Sequence, residues 1–194
     1  MNKLLVATLG LVFVVITAGS ANAVLITFEE YAVGTVISNQ YLPQGVAFSL
    51  TGALHSVDLP VITTDGPFQV LSPAPPYAGD FTMSFVTPVD FLAFDAGVWN
   101  DAGTGIIEVF NPWGGFLGSV TNTQDWNPGD PFVYEHFDLS GFGLIGSVRF
   151  DSFHDVAGAA MDNLEFSPVP EPGTIALLGT GLAGLAAFRR RRKS

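Results

Sequence analysis

The chain contains no cysteine. Disulfides, thiolate nucleophiles and cysteine-ligated zinc are therefore excluded, and an exported form must rely on its core for stability. Positive charge is almost as scarce. Of seven basic residues, Lys3 lies at the start and Arg189, Arg190, Arg191, Arg192 and Lys193 at the end, which leaves Arg149. Residues 24–167 hold seventeen of the eighteen acids, so this stretch carries about −16. Nothing there could neutralise phosphates, which excludes a nucleic-acid partner. Such self-repulsion calls for screening by salt or bound cations, although plain solubility explains the charge equally well. No central segment carries an apolar stripe of helical period, no unit repeats, and no Gly-x-Ser-x-Gly is present.

What is there begins at the two ends. Lys3 precedes an apolar run over residues 4–16, and Ala21-Asn22-Ala23 has the small-x-small form of a signal-peptidase site. Residues 1–23 are read as a signal peptide cleaved after Ala23, against the alternative of an N-terminal membrane helix. At the other end, Pro168, Pro170 and Pro172 form a stiff spacer that cannot be helix interior. Residues 174–188 then form an uncharged apolar run, followed by the basic stretch 189–193. As a helix that run spans about 22–24 Å, short of a hydrocarbon core of roughly 30 Å. A short membrane helix with a cytoplasmic basic stop suits a sorting anchor better than a working membrane domain.

Val169-Pro170-Glu171-Pro172, the short apolar run and the basic tail, in that order, resemble the PEP-CTERM exosorting signal. The resemblance covers residues 168–194 alone. It implies processing by an exosortase-type membrane protease, transient anchoring, and then the cell surface or matrix of a Gram-negative bacterium, in association with exopolysaccharide or biofilm.

Between the ends, residues 24–167 are of single-domain size. They hold all but Phe13 and Phe188 of the seventeen phenylalanines. Segments of β character run over residues 24–28, 46–50, 81–85, 89–94, 106–110, 116–120, 132–137, 147–151 and 161–166. In Ser147-Val148-Arg149-Phe150-Asp151 the apolar residues face one way and the polar ones the other, the pattern of a half-buried strand. Turn signals recur between these segments, including Asp65-Gly66, Asn111-Pro112, Gly114-Gly115 and Asn127-Pro128-Gly129. The prediction is an all-β domain, an antiparallel β-sandwich of jelly-roll type, with residues 51–79 as long loops carrying one or two edge strands.

Most candidate chemistry is thin. Gly179-Thr180-Gly181-Leu182-Ala183-Gly184 spells GxGxxG but lacks the preceding strand and acidic partner of a dinucleotide site; small-residue helix contact is the alternative. Of His55, His136 and His154, none has the partners for a triad or a zinc site, and Glu135 and His136 should point to opposite faces of a strand. The carboxylate pairs Glu29/Glu30, Asp95/Asp101, Asp125/Asp130 and Asp151/Asp155 could serve a hydrolase or lyase acting on polysaccharide, or be solvated loop acids.

Two constellations stand above this background. Phe28-Glu29, closing the first strand, and Asp162-Asn163, in the last, resemble positions in jelly-roll carbohydrate-binding modules, where first and last strands lie together near a structural Ca²⁺. The resemblance implies Glu29, Asp162 and Asn163 as hard oxygen ligands; the alternative is that Asp162 and Asn163 only satisfy strand-end backbone groups. Trp99, Trp113 and Trp126 each adjoin turn-forming residues, and an indole at a loop tip beside Asn and Asp can stack on a sugar while amides read its hydroxyls. The leading expectation is a non-enzymatic, exported surface protein that binds extracellular polysaccharide; the alternatives are a polysaccharide-acting enzyme and a purely structural matrix protein.

Overall fold

Strand β5, Phe81–Gly97, organises the molecule. The sequence predicted two strands here, separated by a turn at Pro88. The computed structural model instead runs one seventeen-residue strand through the proline. Pro88 lacks an N–H, so it fits only where the ladder demands none, and it lies within the register shift between Ser84 and Val89. Before the shift β5 pairs with β2, Val46–Leu50, and with β9, Ile145–Asp151, whose Ile145 also pairs with Val89 just beyond it. Beyond it β5 pairs with β8, Tyr134–Asp138, and β10, Ala160–Pro168. The local turn signal at Pro88 therefore marks the corner where one strand passes from one layer to the other.

The structure describes residues 23–50, 61–65, 68–72, 80–126, 133–151, 159–169 and Gly181, with backbone alone at 50, 61–65 and 68. The predicted signal peptide and the predicted short membrane helix fall outside the described residues, Gly181 excepted, and no helix among those described is long and apolar enough to cross a membrane. The described strands are all antiparallel. β6, Ile106–Phe110, joins β9 to β7, Phe116–Thr121. In the other layer β10 pairs with β1, Val24–Ile26, and with β4, Phe68–Ser72, which carries β3, Val61–Asp65, at its outer side. Short 3₁₀ turns occupy Leu42–Gln44 and Ser140–Phe142.

Phenylalanine fills the space between the layers. Phe81 stacks on Phe150 at 4.5 Å, and Phe150 meets Phe94 at 5.2 Å, joining β5 to β9. Phe85 meets Phe166 of β10 at 5.1 Å. Phe28, Tyr41 and Phe48 close the end of the core in edge-to-face contacts of 5.4 to 6.3 Å, a geometry that the ring quadrupole favours. On β9, Val148 and Phe150 are buried as the alternation required, while Arg149 faces outward between Glu108 and Asp151 at 2.9 and 3.2 Å.

Candidate functional site

The first and last strands do lie together. β1 pairs with β10 in the register Val24↔Phe166 to Ile26↔Leu164. The first strand stops at Ile26, two residues short of the predicted end, because Phe28 takes a positive φ of 58°. That turn sinks the Phe28 ring into the core and releases Glu29 toward β4. There Glu29 Oε1 accepts the Gln69 backbone N–H at 3.0 Å and Oε2 accepts Gln69 Nε2 at 3.0 Å. These hydrogen bonds favour the carboxylate and hold its pKa below the usual value.

Asp162 and Asn163 sit at an irregularity of β10, where Asn163 also adopts a positive φ of 49°. The Asn163 N–H donates to Asp162 Oδ1 at 2.7 Å, a backbone-satisfying role of the kind the alternative reading assigned. Asn163 Nδ2 donates to Asp95 Oδ2 at 2.9 Å, and Asp95 Oδ1 meets His136 Nδ1 at 2.8 Å. Asp162, Asp95 and His136 are register neighbours across three strands. Burial pushes the Asp162 carboxyl above its usual range; the Asn163 N–H opposes this, and the nearby charges of Asp95 and Glu29 add to it. The row is electrostatically loaded, and its short contacts are to the backbone and side-chain amides of Asn163 and to the His136 imidazole. Among the described residues no three Asp, Glu or His side chains gather closely enough to hold a metal ion. Glu135, in contrast to His136, turns to Thr123 and Gln124, as opposite strand faces require.

The three tryptophans separate into three environments. Trp99 is a core residue, 3% exposed, with its ring against Phe137 and over Gly105, where even a Cβ would collide. It offers no face to a glycan, and that expectation is corrected: its turn-forming neighbours reflect the positive φ of Val98, which folds the indole inward. Trp126 is half-buried, and its backbone N–H donates to the Trp99 carbonyl at 2.8 Å. Its loop is tied down by the Glu135 carboxylate, which accepts from Thr123 N, Thr123 Oγ1 and Gln124 N at 2.7 to 3.0 Å. Buried Asn122 joins the same loop to residues 101–105.

Trp113 is the exposed one, at 83%. It rides the β6–β7 turn, which one side chain braces. Asn111 Oδ1 accepts the N–H groups of Trp113 and Gly115 at 2.9 and 2.8 Å, while Asn111 N donates to Gly115 O at 2.8 Å. The hydrogen-bonded turn pre-organises the Trp113 backbone, so ordering of the loop would add little cost to stacking of the exposed indole on a ligand. Phe116 and Leu144 are further exposed apolar side chains, at the start of β7 and just before β9.

Val169 is the last described residue of the β-domain, its N–H donating to Pro88 O at 2.8 Å. Pro170, Glu171 and Pro172 of the sorting motif lie outside the described residues. Residues 168–192 match the PEP-CTERM protein-sorting motif, so the chain carries a C-terminal signal for export and transient membrane anchoring. No curated protein matches the chain. Among solved structures, it is similar to a family 29 carbohydrate-binding module from Piromyces equi, with 11% identity, 81% of this chain and 99% of that chain covered, and a TM-score of 0.41. A mutant module of the same family complexed with mannohexaose shows 16% identity, coverage of 77% and 93%, and a TM-score of 0.41. A cleaved adhesin domain of Lys-gingipain shows 16% identity, coverage of 75% and 99%, and the same TM-score.

Proposed function

We propose that this chain is a non-enzymatic, exported surface or matrix protein, delivered by signal peptidase and an exosortase-type protease to a Gram-negative envelope. There its jelly-roll-like sandwich binds extracellular polysaccharide in the biofilm matrix. The observation that carries the binding reading is Trp113, an indole exposed at 83% on a turn whose backbone Asn111 braces. With one base among seventeen acids, the domain suits neutral sugars over acidic ones. Trp126, half-buried on its braced loop, is the second candidate contact. The test is affinity electrophoresis of the exported protein in gels containing neutral or acidic polysaccharides. Trp113→Ala is expected to weaken retention by a neutral polysaccharide about tenfold to thirtyfold, the effect of truncating an aromatic hot spot. Its melting midpoint should stay close to that of the parent, because the ring is exposed. Retention unchanged by the substitution, or absent throughout, removes the binding reading and leaves a purely structural matrix protein.

A structural Ca²⁺ involving Glu29, Asp162 and Asn163 is the second part of this proposal. It is supported by the partly buried Asp162 carboxyl beside Asp95 and Glu29. Because the folded protein prefers Asp162 protonated, this group stabilises the fold at low pH and opposes it increasingly as pH rises through the usual carboxylate range. In EDTA at neutral pH, Asp162→Asn should therefore melt a few degrees above the parent, with the gap closing on acidification. Binding to the native state alone would add about 2.7 kcal/mol at a hundredfold excess over Kd. Ca²⁺ should raise the parent's midpoint more than Mg²⁺ does and leave Asp162→Asn unchanged. Equal responses to the two ions, or an increment that survives the substitution, would mean general charge screening.

The enzymatic alternative now rests on Asp95 and Asp162, cross-strand neighbours of which one is pushed toward its protonated form. Release of reducing sugar by the exported protein, abolished in Asp162→Asn, would favour it.

A further inference from the structure

A sheet edge presents unpaired backbone groups to any strand that can reach them, and proteins blunt such edges with charge, proline or covering chain. Among the described residues, β2 is covered on its outer side by the segment through Ser38, whose carbonyl accepts the Phe48 N–H at 2.8 Å. Glu135 fastens the 123–124 segment against β8. Strand β3 carries Asp65. Strand β7 has none of these protections. It has β6 on one side and, among the described residues, no strand on the other. Four of its six residues, Phe116, Leu117, Ser119 and Thr121, are exposed, and it contains neither proline nor charge. Its pairing with β6 is regular from Gly118 to Thr121, so the irregularity near Phe116 leaves that run straight.

We infer that the outer edge of β7 is a self-association surface, through which a second copy of this chain adds its own β7 strand to strand. Charge selects this occupant. Residues 109–124 contain no ionisable side chain in a domain of about −16. Two copies can therefore meet along β7 without opposing their carboxylates, whereas a basic partner would seek the acids elsewhere. An uncharged edge is also complementary to its own copy across a two-fold axis. Main-chain hydrogen bonds would supply the pairing, with Phe116 and Leu117 shielding it from water. This surface is the strand edge and is independent of glycan binding at the Trp113 turn.

The like charge of the two bodies gives the association an unusual salt signature. Distant carboxylates repel, and that repulsion fades as the Debye length falls from about 10 Å at 0.1 M to about 3 Å at 1 M salt. Self-association should therefore tighten as salt rises. The experiment is sedimentation velocity on the purified exported protein over a concentration and salt series, with Ser119→Lys and, as control, Val33→Lys. Ser119 lies opposite Glu108 in the β6–β7 ladder, so lysine gains an opposite-charge neighbour within the fold while blunting the edge. The expected result is a reversible dimer that tightens with salt, is weakened at least about tenfold by Ser119→Lys, and is unaffected by Val33→Lys. Hydrogen exchange on the unmodified protein checks the same contact without substitution, because amides in 116–121 should slow as concentration rises. A monomer at every concentration, an association that weakens with salt, or one insensitive to Ser119→Lys without added protection at 116–121, overturns the inference.

Discussion

Phe150→Ala is expected to lower the unfolding free energy by about 3–5 kcal/mol, the usual result of truncating a phenylalanine in a packed core. Phe150 is 1% exposed and stacks on Phe81 at an interplanar angle of 9°, so its removal strips one side of a second ring. It also touches Phe94, so the void would open between the two end portions of β5 that carry Phe81 and Phe94. Packed rings on two sides leave little room for collapse, which places the cost toward the upper end. Arg149→Ala, one residue away, should cost no more than about 1 kcal/mol, because its ion pairs lie on the outer face and are partly solvated. With no disulfide to hold the remainder, the Phe150 loss reads directly in a urea or thermal transition. Equal losses for the two substitutions would show that β9 presents the opposite face to the core.

That contrast was legible in the sequence because it rests on a two-residue period, which is local. The same logic gave Val46–Leu50 and Ile106–Phe110 with their observed bounds. Pro88 shows where local logic ends. The missing N–H is a property of the residue, but whether it produces a turn or a corner depends on partners far along the chain. The turn at Asn111-Pro112 was readable for the converse reason, since the bonds that Asn111 makes in it reach only two and four residues ahead. Of this cluster Glu29, Asp162 and Asn163 were legible in the sequence, whereas the contacts through Asp95 to His136 were not. Asn163 and Asp95 are 68 residues apart, and Asp95 and His136 are 41 apart. The available signal was an acid at an outward position, between buried Phe94 and Ala96, which marks exposure without naming a partner. Trp99 misled because its flanking Asn and Asp do mark a turn, while the positive φ at Val98 decides which way the ring falls.

Asn122 left no sequence signal at all, and its substitution is the second large effect expected. Only 2% exposed, it spends all four of its amide bonds on backbone. Its Oδ1 accepts from Gly103 N at 3.0 Å and Gly105 N at 2.8 Å, and its Nδ2 donates to Asp101 O at 2.9 Å and Gln124 O at 2.7 Å. Some of these groups have a second partner: Gly103 N also donates to Asn122 O, and Asp101 O also accepts from Thr104 Oγ1. In Asn122→Ala the Gly105 N–H loses its bond in a buried setting, at about 1–3 kcal/mol, and the Gln124 carbonyl loses its bond in a part-buried one, at about 1 kcal/mol, so a total of about 2–4 kcal/mol is expected. Asn122→Asp should preserve the acceptor but set a carboxylate against the carbonyls of Asp101 and Gln124. Burial and those dipoles would raise its pKa, so the aspartate variant should be least stable at neutral pH and recover as acid protonates it. Hydrogen exchange should locate the loss, with faster exchange at residues 101–105 and 122–126 before the strands respond. An alanine variant within about 0.5 kcal/mol of the parent, with exchange unchanged in both segments, would mean that these loops are held by Glu135 and the Trp126–Trp99 backbone bond instead.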